Sequence, residues 1–364
     1  MIALNDFRAE PEALIYQELA AAERVIRSGW YVLGQEVETF EHAWATVCGT
    51  SYAVGVGNGL DALEIGLKAL GIGPGDEVVT TPMTAFATVL AIHKTGAIPV
   101  LADIVPETAL LDVASVERCL TERTRAVLLV HLYGQIHGMD HWTTFCRQNR
   151  LHLLEDCAQA HLATWQGKRA GSFGEWGAYS FYPTKNLGAI GDAGILVTSQ
   201  AAIAQQARVL RNYGQSDRYH HTELGMNSRL DELQAALLQV RLAWLEPFTT
   251  RRRQIAGQYF AQIHNSKISL LSPPVAEENH VYHLFVVRCA EREQLARHLK
   301  IKGITTLSHY PLPAHHQQPS QDLARDPMGL LQAEQHAADC LSIPCHPQMS
   351  DRDVQSVIEA LNEF

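Results

Sequence analysis

A carboxylate at the end of a short apolar run, followed by an amine in a tight loop, carries the chemistry this sequence suggests. The stretch Leu151–Gly194 opens with Leu151-His-Leu-Leu154, reaches Glu155-Asp156, and 29 positions after Asp156 arrives at Lys185 within Ser-Phe-Tyr-Pro-Thr-Lys-Asn. Pyridoxal phosphate needs both groups, an amine for a Schiff base with its aldehyde and an anion that keeps its ring nitrogen protonated. The protonated ring draws electrons from the carbon that loses its proton, so Asp156 must stay ionised through that pairing. Lys185 would hold the aldehyde and, once displaced by a substrate amine, move protons. Taken singly, an aspartate after a strand caps it and a lysine is a solvated cation. The reading rests on the two together.

A second feature suits the phosphate. Tyr52-Ala-Val-Gly-Val56 reads as a strand that runs through Gly57-Asn58-Gly59 into a helix continuing to Leu70. Strand, glycine turn and helix N-terminus make an anion site, because free backbone N–H groups and the positive end of the helix face one point. A dinucleotide fingerprint is excluded, since Leu60 stands where the last glycine of G-x-G-x-x-G belongs. No P-loop lysine follows.

These residues need a scaffold that brings loop ends together. Strand-like segments (Ile98–Asp103, Ala126–Val130, Leu151–Leu154) alternate with helical ones (Val113–Leu120, Phe145–Asn149). Apolar strands alternating with helices predict an α/β fold, a mostly parallel sheet covered on both faces. Sites in such sheets lie at the carboxyl ends of strands, where Asn58, His131-Leu-Tyr-Gly134 and Asp156 all fall. Leu14, Ile15, Glu18, Leu19, Ala22 and Ile26 predict an amphipathic N-terminal helix. The expected division is a large domain over residues 1–250 and a smaller C-terminal α/β domain over 251–364, with Tyr282–Val287 as its clearest strand and Glu293–Lys300 as a helix.

Composition bounds the partners. The net charge of −10 argues against nucleic acid, and no apolar run is long enough to span a membrane. Seven dispersed cysteines without a CxxC pair suit reduced thiols and the cytoplasm. Eighteen histidines include the pairs His220-His221 and His315-His316. Neighbouring side chains diverge, so no metal site is expected.

The blocks quoted above, with Ser28-Gly29-Trp30-Tyr31, Gly225-Met-Asn227-Ser-Arg229 and His309-Tyr310-Pro-Leu-Pro-Ala-His315, resemble the sugar aminotransferases. These form a branch of the fold-type I, aspartate aminotransferase-like pyridoxal-phosphate enzymes and aminate nucleotide-linked keto-sugars. The resemblance runs from about Ser28 to Tyr310 and implies roles for individual residues. Phe86 stacks on the pyridine, Gln159 sits beside the ring hydroxyl, and Ser180 joins Asn58 and Gly59 at the phosphate. Asn227 reaches the phosphate of a second subunit, implying a homodimer with shared sites; read locally it is equally a helix cap. Tyr31, Tyr182, Arg229, His309, Tyr310 and His315 fall on the substrate side.

Lys185-Asn-Leu-Gly-Ala-Ile-Gly-Asp192, Tyr182 and His131-Leu-Tyr-Gly-Gln135 follow the pattern of the members acting at C3. The implied reaction moves an amino group from L-glutamate to a TDP-linked 3-keto-6-deoxyhexose. Two alternatives stay open, a C4 aminotransferase acting on a 4-keto-sugar and a non-catalytic cofactor-binding sensor. Related deoxygenating enzymes carry histidine at the lysine position, which Lys185 disfavours.

Overall fold

The computed structural model describes residues 1–364. Two helices lead, α1 (Glu12–Ser28) and α2 (Gln35–Cys48), each ended by a glycine in the left-handed region, Gly29 at φ 69° and Gly49 at φ 68°. α1 buries Leu14, Glu18, Ala21 and Val25. Leu19 and Ile26, expected on that stripe, stay outside at 61% and 64% exposure. The inward face instead carries Ala21 and Val25, which pack on Ala236 and Leu237, and Glu18, whose carboxylate meets the Arg241 guanidinium that also binds Glu10.

The main sheet is built from β1 (Tyr52–Val56), β2 (Glu77–Thr80), β3 (Ile98–Leu101), β4 (Thr124–Val130) and β5 (His152–Asp156). A small hairpin, β6 (Thr164–Trp165) and β7 (Lys168–Arg169), precedes its last two strands, β8 (Trp176–Ser180) and β9 (Gly194–Thr198). The order is β1-β9-β8-β5-β4-β2-β3. The run β3-β2-β4-β5-β8 is parallel throughout, and β9 is antiparallel to both β8 and β1. Alternation along the strands feeds two cores. Val127, Leu129 and Leu153 pack with Phe40, Trp44 and Tyr179 on one face. Leu128 and Leu154 pack with Ile65, Leu67 and Trp176 on the other. The flanking helices are α3 (Gly59–Ala69), α4 (Phe86–Lys94), α5 (Val113–Cys119), α6 (Met139–Asn149) and α7 (Ala201–Leu210). After an exposed hairpin of β10 (Gln215–Asp217) and β11 (His220–His221) comes α8 (Glu232–Gln262), 31 residues long.

Residue 250, the expected domain boundary, lies inside α8, just past Pro247. The helix changes cores there: Leu238 and Leu245 belong to the first, Ile255, Ala256 and Tyr259 to the C-terminal one. That second core covers a small sheet of β12 (Ser269–Leu270), β13 (Phe285–Arg288) and β14 (Cys340–Ile343), backed by α9 (Arg292–Ile301) and α11 (Asp351–Asn362). The strand expected from Tyr282 begins instead at Phe285. Tyr282 sits at φ 46° with its ring stacked on His280, a backbone no strand continues through.

A further interior joins the two parts. Met83, Val89, Leu101 and Tyr133 pack with Val286, Ala314, Ala333 and Cys340. Above it, Asp103 caps α10 (Leu331–Asp339), accepting the N–H of Gln332 at 3.0 Å and of Ala333 at 2.9 Å. Glu232 does the same for α2, accepting the N–H groups of Gly34 (2.8 Å), Glu36 (2.9 Å) and Val37 (3.0 Å). Three orphan donors share this one buried carboxylate, so Glu232→Ala is expected to cost about 2 kcal/mol. Urea denaturation would show it as a lower midpoint at unchanged slope. No helix is long and apolar enough to cross a membrane.

Candidate active site

Three adjacent parallel strands end at one edge. Register pairs Val130 with Asp156 and Asp156 with Ala178, so His131, Asp156 and Ser180, two residues beyond Ala178, all emerge at the same end of the sheet. Ser180 closes against the start of α3: a Cβ built on Gly59 would lie 2.7 Å from the Ser180 Cβ. Only glycine permits that approach. The first-turn amides of Gly59 and Leu60, which have no intrahelical partner by position, therefore open beside the Ser180 hydroxyl. The Asn58 side chain is spent on capping, accepting from Asp61 N at 2.9 Å and donating to the Asp61 carboxylate at 3.0 Å. Ser228 completes the turn by accepting from Gly57 N (3.0 Å) and donating to Asp61 (2.6 Å).

Asp156 is buried. Its carboxylate accepts from the Thr88 hydroxyl at 2.8 Å and from Ala158 N at 3.1 Å. Thr88 is in turn paired with Thr84 at 2.7 Å. Burial pushes the Asp156 pKa up, while the Thr88 and Ala158 bonds and the nearby Lys185 ammonium pull it down. For Lys185, loss of solvation dominates and brings the ammonium down to about 8, although Asp156 works in the opposite direction. Its side chain is not fully enclosed, and part of the residue stays accessible. Its loop is fixed by Lys185 N donating to Tyr182 O (2.8 Å) and by Asn186 Nδ2 donating to Val281 O (3.0 Å).

Three imidazoles surround this amine, and all are held neutral. Burial, then the Lys185 charge, lowers His161 to about 3 and His309 to about 4, and holds His283 well below the usual range. Gln159 ties the loop carrying Tyr310 to the sheet: its Oε1 accepts from Tyr133 N at 2.5 Å and its Nε2 donates to the Tyr310 hydroxyl at 3.3 Å. Burial, with Asp156 nearby, lifts that hydroxyl to about 12. His309 pairs with Ser342 at 2.8 Å, and its carbonyl accepts from the Tyr133 hydroxyl at 2.5 Å. Phe86 is half-buried at the first turn of α4, two residues before Thr88.

The remaining expected residues lie farther out. Tyr31 and Tyr182 are 55% and 52% exposed. Asn227 is also exposed, bridged by its backbone to Asn212. Arg229 donates to the Asn212 side chain at 3.1 Å and lies over the Tyr213 ring. His315 is not brought to the cleft; it is buried against Glu334, 3.1 Å away on α10. Glu155, next to Asp156 in sequence, points to the opposite face. It accepts from Gly171, Phe173 and Gly174 N–H and pairs with His131, so its lone pairs are filled and Glu155 has none left to join His131 and Cys157 on an ion. Thr88, His161 and His283 had no role in the sequence reading, and Tyr133 entered it only as part of His131-Leu-Tyr-Gly-Gln135.

The chain is similar in sequence and in fold to known proteins. A dTDP-3-amino-3,6-dideoxy-alpha-D-galactopyranose transaminase of Aneurinibacillus thermoaerophilus is 44% identical over 345 residues, covering 94% of each chain. A dTDP-3-amino-3,4,6-trideoxy-alpha-D-glucose transaminase of Streptomyces venezuelae is 42% identical over 360 residues, 99% of this chain and 95% of that one. The crystal structure of S. venezuelae DesV in complex with a ketimine intermediate superposes with a TM-score of 0.96 at 42% identity, over 100% of this chain and 98% of the other. Sequence and fold are thus shared along the whole length rather than at one motif. With its profile matching residues 13–362, the chain belongs to the DegT/DnrJ/EryC1/StrS aminotransferase family.

Proposed function

We propose that the chain is a pyridoxal-phosphate-dependent aminotransferase that transfers the amino group of L-glutamate to C3 of a TDP-linked 3-keto-6-deoxyhexose. The product would be a TDP-3-amino-3,6-dideoxyhexose for glycan or natural-product assembly. The observation that carries this reading is the placement of Asp156 and Lys185 at one strand edge, with the glycine-lined anion site beside Ser180. Those residue types fit the cofactor, which when bound supplies an aldehyde for amine exchange and an electron-withdrawing ring. Gly59, Leu60 and Ser180 would hold its phosphate, Asp156 its ring nitrogen, Phe86 its face and Gln159 its ring hydroxyl. Lys185 Nζ would carry the proton, since its pKa of about 8 leaves both protonation states populated near neutral pH. The neutral His161, His283 and His309 add no fixed charge beside it.

A second copy of the chain would complete the phosphate site through its exposed Asn227. Trp30, Tyr31 and Val32, all exposed, offer apolar surface for such a partner. The seven buried, unpaired cysteines suit a reducing compartment, so we place the protein in the cytoplasm. The C3 assignment draws on the Lys185–Asp192 pattern and on the 3-amino-sugar names of the two relatives. Incubation with L-glutamate and a panel of TDP-3-keto- and TDP-4-keto-sugars tests it. NMR is expected to place nitrogen on C3, with 2-oxoglutarate released in equal amount. Nitrogen on C4 would overturn the regiochemistry alone; a yellow protein that glutamate does not bleach would leave the sensor reading.

A further inference from the structure

One cluster of metal-ligating groups lies outside the cleft, on the turn that follows Tyr310. His315 and His316 were expected to diverge, yet their ring centroids are 4.2 Å apart. The tight turn Ala314–His316 folds both rings toward the first turn of α10, where Glu334 meets them. Glu334 Oε1 lies 3.1 Å from His315 Nε2 and 3.6 Å from His316 Nε2. One ligand atom from each residue falls within 4.8 Å of the other two.

We propose that His315, His316 and Glu334 form a binding site for a divalent transition metal of the zinc type, with a fourth position open to water. Ligands about 2.0–2.1 Å from a tetrahedral ion lie about 3.3 Å from one another, and both measured edges to Glu334 bracket that separation. Two imidazoles and one carboxylate are a zinc-like donor set, and one unlike the all-oxygen sets of calcium or magnesium. The site is also pre-organised. The His315 side chain is completely buried, the turn is anchored by Ala314 N donating to Pro82 O at 2.9 Å, and α10 is fixed by its Asp103 cap. The other two ligands face solvent, with side chains 47% and 41% exposed, which leaves an entry path. Glu334 makes no side-chain hydrogen bond except to His315. Arg325, the nearby cation that would oppose an ion, is turned onto the carbonyls of Gln321 and Leu323. An ion held here would lock the turn after Tyr310 onto α10.

Calorimetric titration of the cofactor-loaded protein with zinc chloride tests the site, with a thermal melt as second readout. One ion per chain is expected, together with a higher melting temperature. His316→Ala, a surface change, is expected to weaken binding at least tenfold and abolish the thermal shift; Glu334→Gln is expected to do the same. The double variant His220→Ala, His221→Ala should bind as the wild type does. Equal affinity in His316→Ala, or no zinc uptake by the wild type, would overturn the proposal.

Discussion

Replacing Lys185 with alanine is expected to lower turnover by about 10⁴-fold, the upper end of what a positioned acid–base group contributes. The reason is the state of its amine. An ordinary lysine is almost wholly protonated at neutral pH, whereas burial brings Lys185 down to about 8, so Nζ can both accept and return a proton. No other amine or carboxylate bonded in the cleft could stand in. Asp156 is engaged by Thr88 and Ala158, and the three imidazoles are kept neutral by burial. The backbone of the loop should not respond, because its bonds run through Lys185 N and the Asn186 side chain rather than the lysine amine. Folding is therefore expected to survive, with an unchanged far-ultraviolet spectrum. The measurement is release of 2-oxo acid from glutamate; a rate within tenfold of wild type would remove Lys185 from the chemistry.

Asp156→Asn is the second large effect, an expected loss of about 10³-fold in turnover at nearly constant side-chain volume. An amide cannot supply the negative charge that keeps a ring nitrogen protonated. The same substitution should behave differently in the cofactor-free protein. The folded-state pKa of Asp156 is raised, chiefly by burial, so between its unfolded and folded values the native state binds more protons. Stability then falls as pH rises through that window, and the ionised group is a burden at pH 7. Apo Asp156→Asn is accordingly expected to melt no lower than wild type at pH 7 while losing activity once loaded. Parallel loss of both would make Asp156 a structural group. Thr88→Val, which removes the hydroxyl held 2.8 Å from the carboxylate, should produce a smaller loss of about tenfold in the same assay.

The sheet and its site edge were legible because they rest on short-range signals. A near-continuous apolar run as short and valine-rich as Ala126–Val130 suits an interior strand better than a helix, and a glycine turn before a helix exposes amides wherever it occurs. The partners reached across the fold were hidden. Thr88 meets Asp156 from 68 positions away, and Tyr133 closes on His309 from 176 positions away. Nothing local to Thr88 distinguishes it from any threonine in a first helical turn. The α1 stripe was misjudged for a related reason. Apolar spacing favoured Leu19 and Ile26, but the face turned inward carries Ala21 and Val25, packed on Ala236 and Leu237 of α8, and Glu18, paired with Arg241 in the first third of that helix. His315 illustrates a third limit, since a residue read from its loop alone can point either way. Here the packing of α10 claims it.

The shared interior between Met83, Tyr133, Ala333 and Cys340, with Asp103 set over α10, has a bearing on how a bulky substrate gets in and out. The C-terminal unit is welded to the sheet on one side and joined by the unbroken rod of α8 on the other. Swinging it away would strip a helix of its cap and wet a dry seam in the same motion. Exchange of substrate and product is therefore expected to proceed with the C-terminal unit fixed against the sheet, through movement of loops and side chains alone.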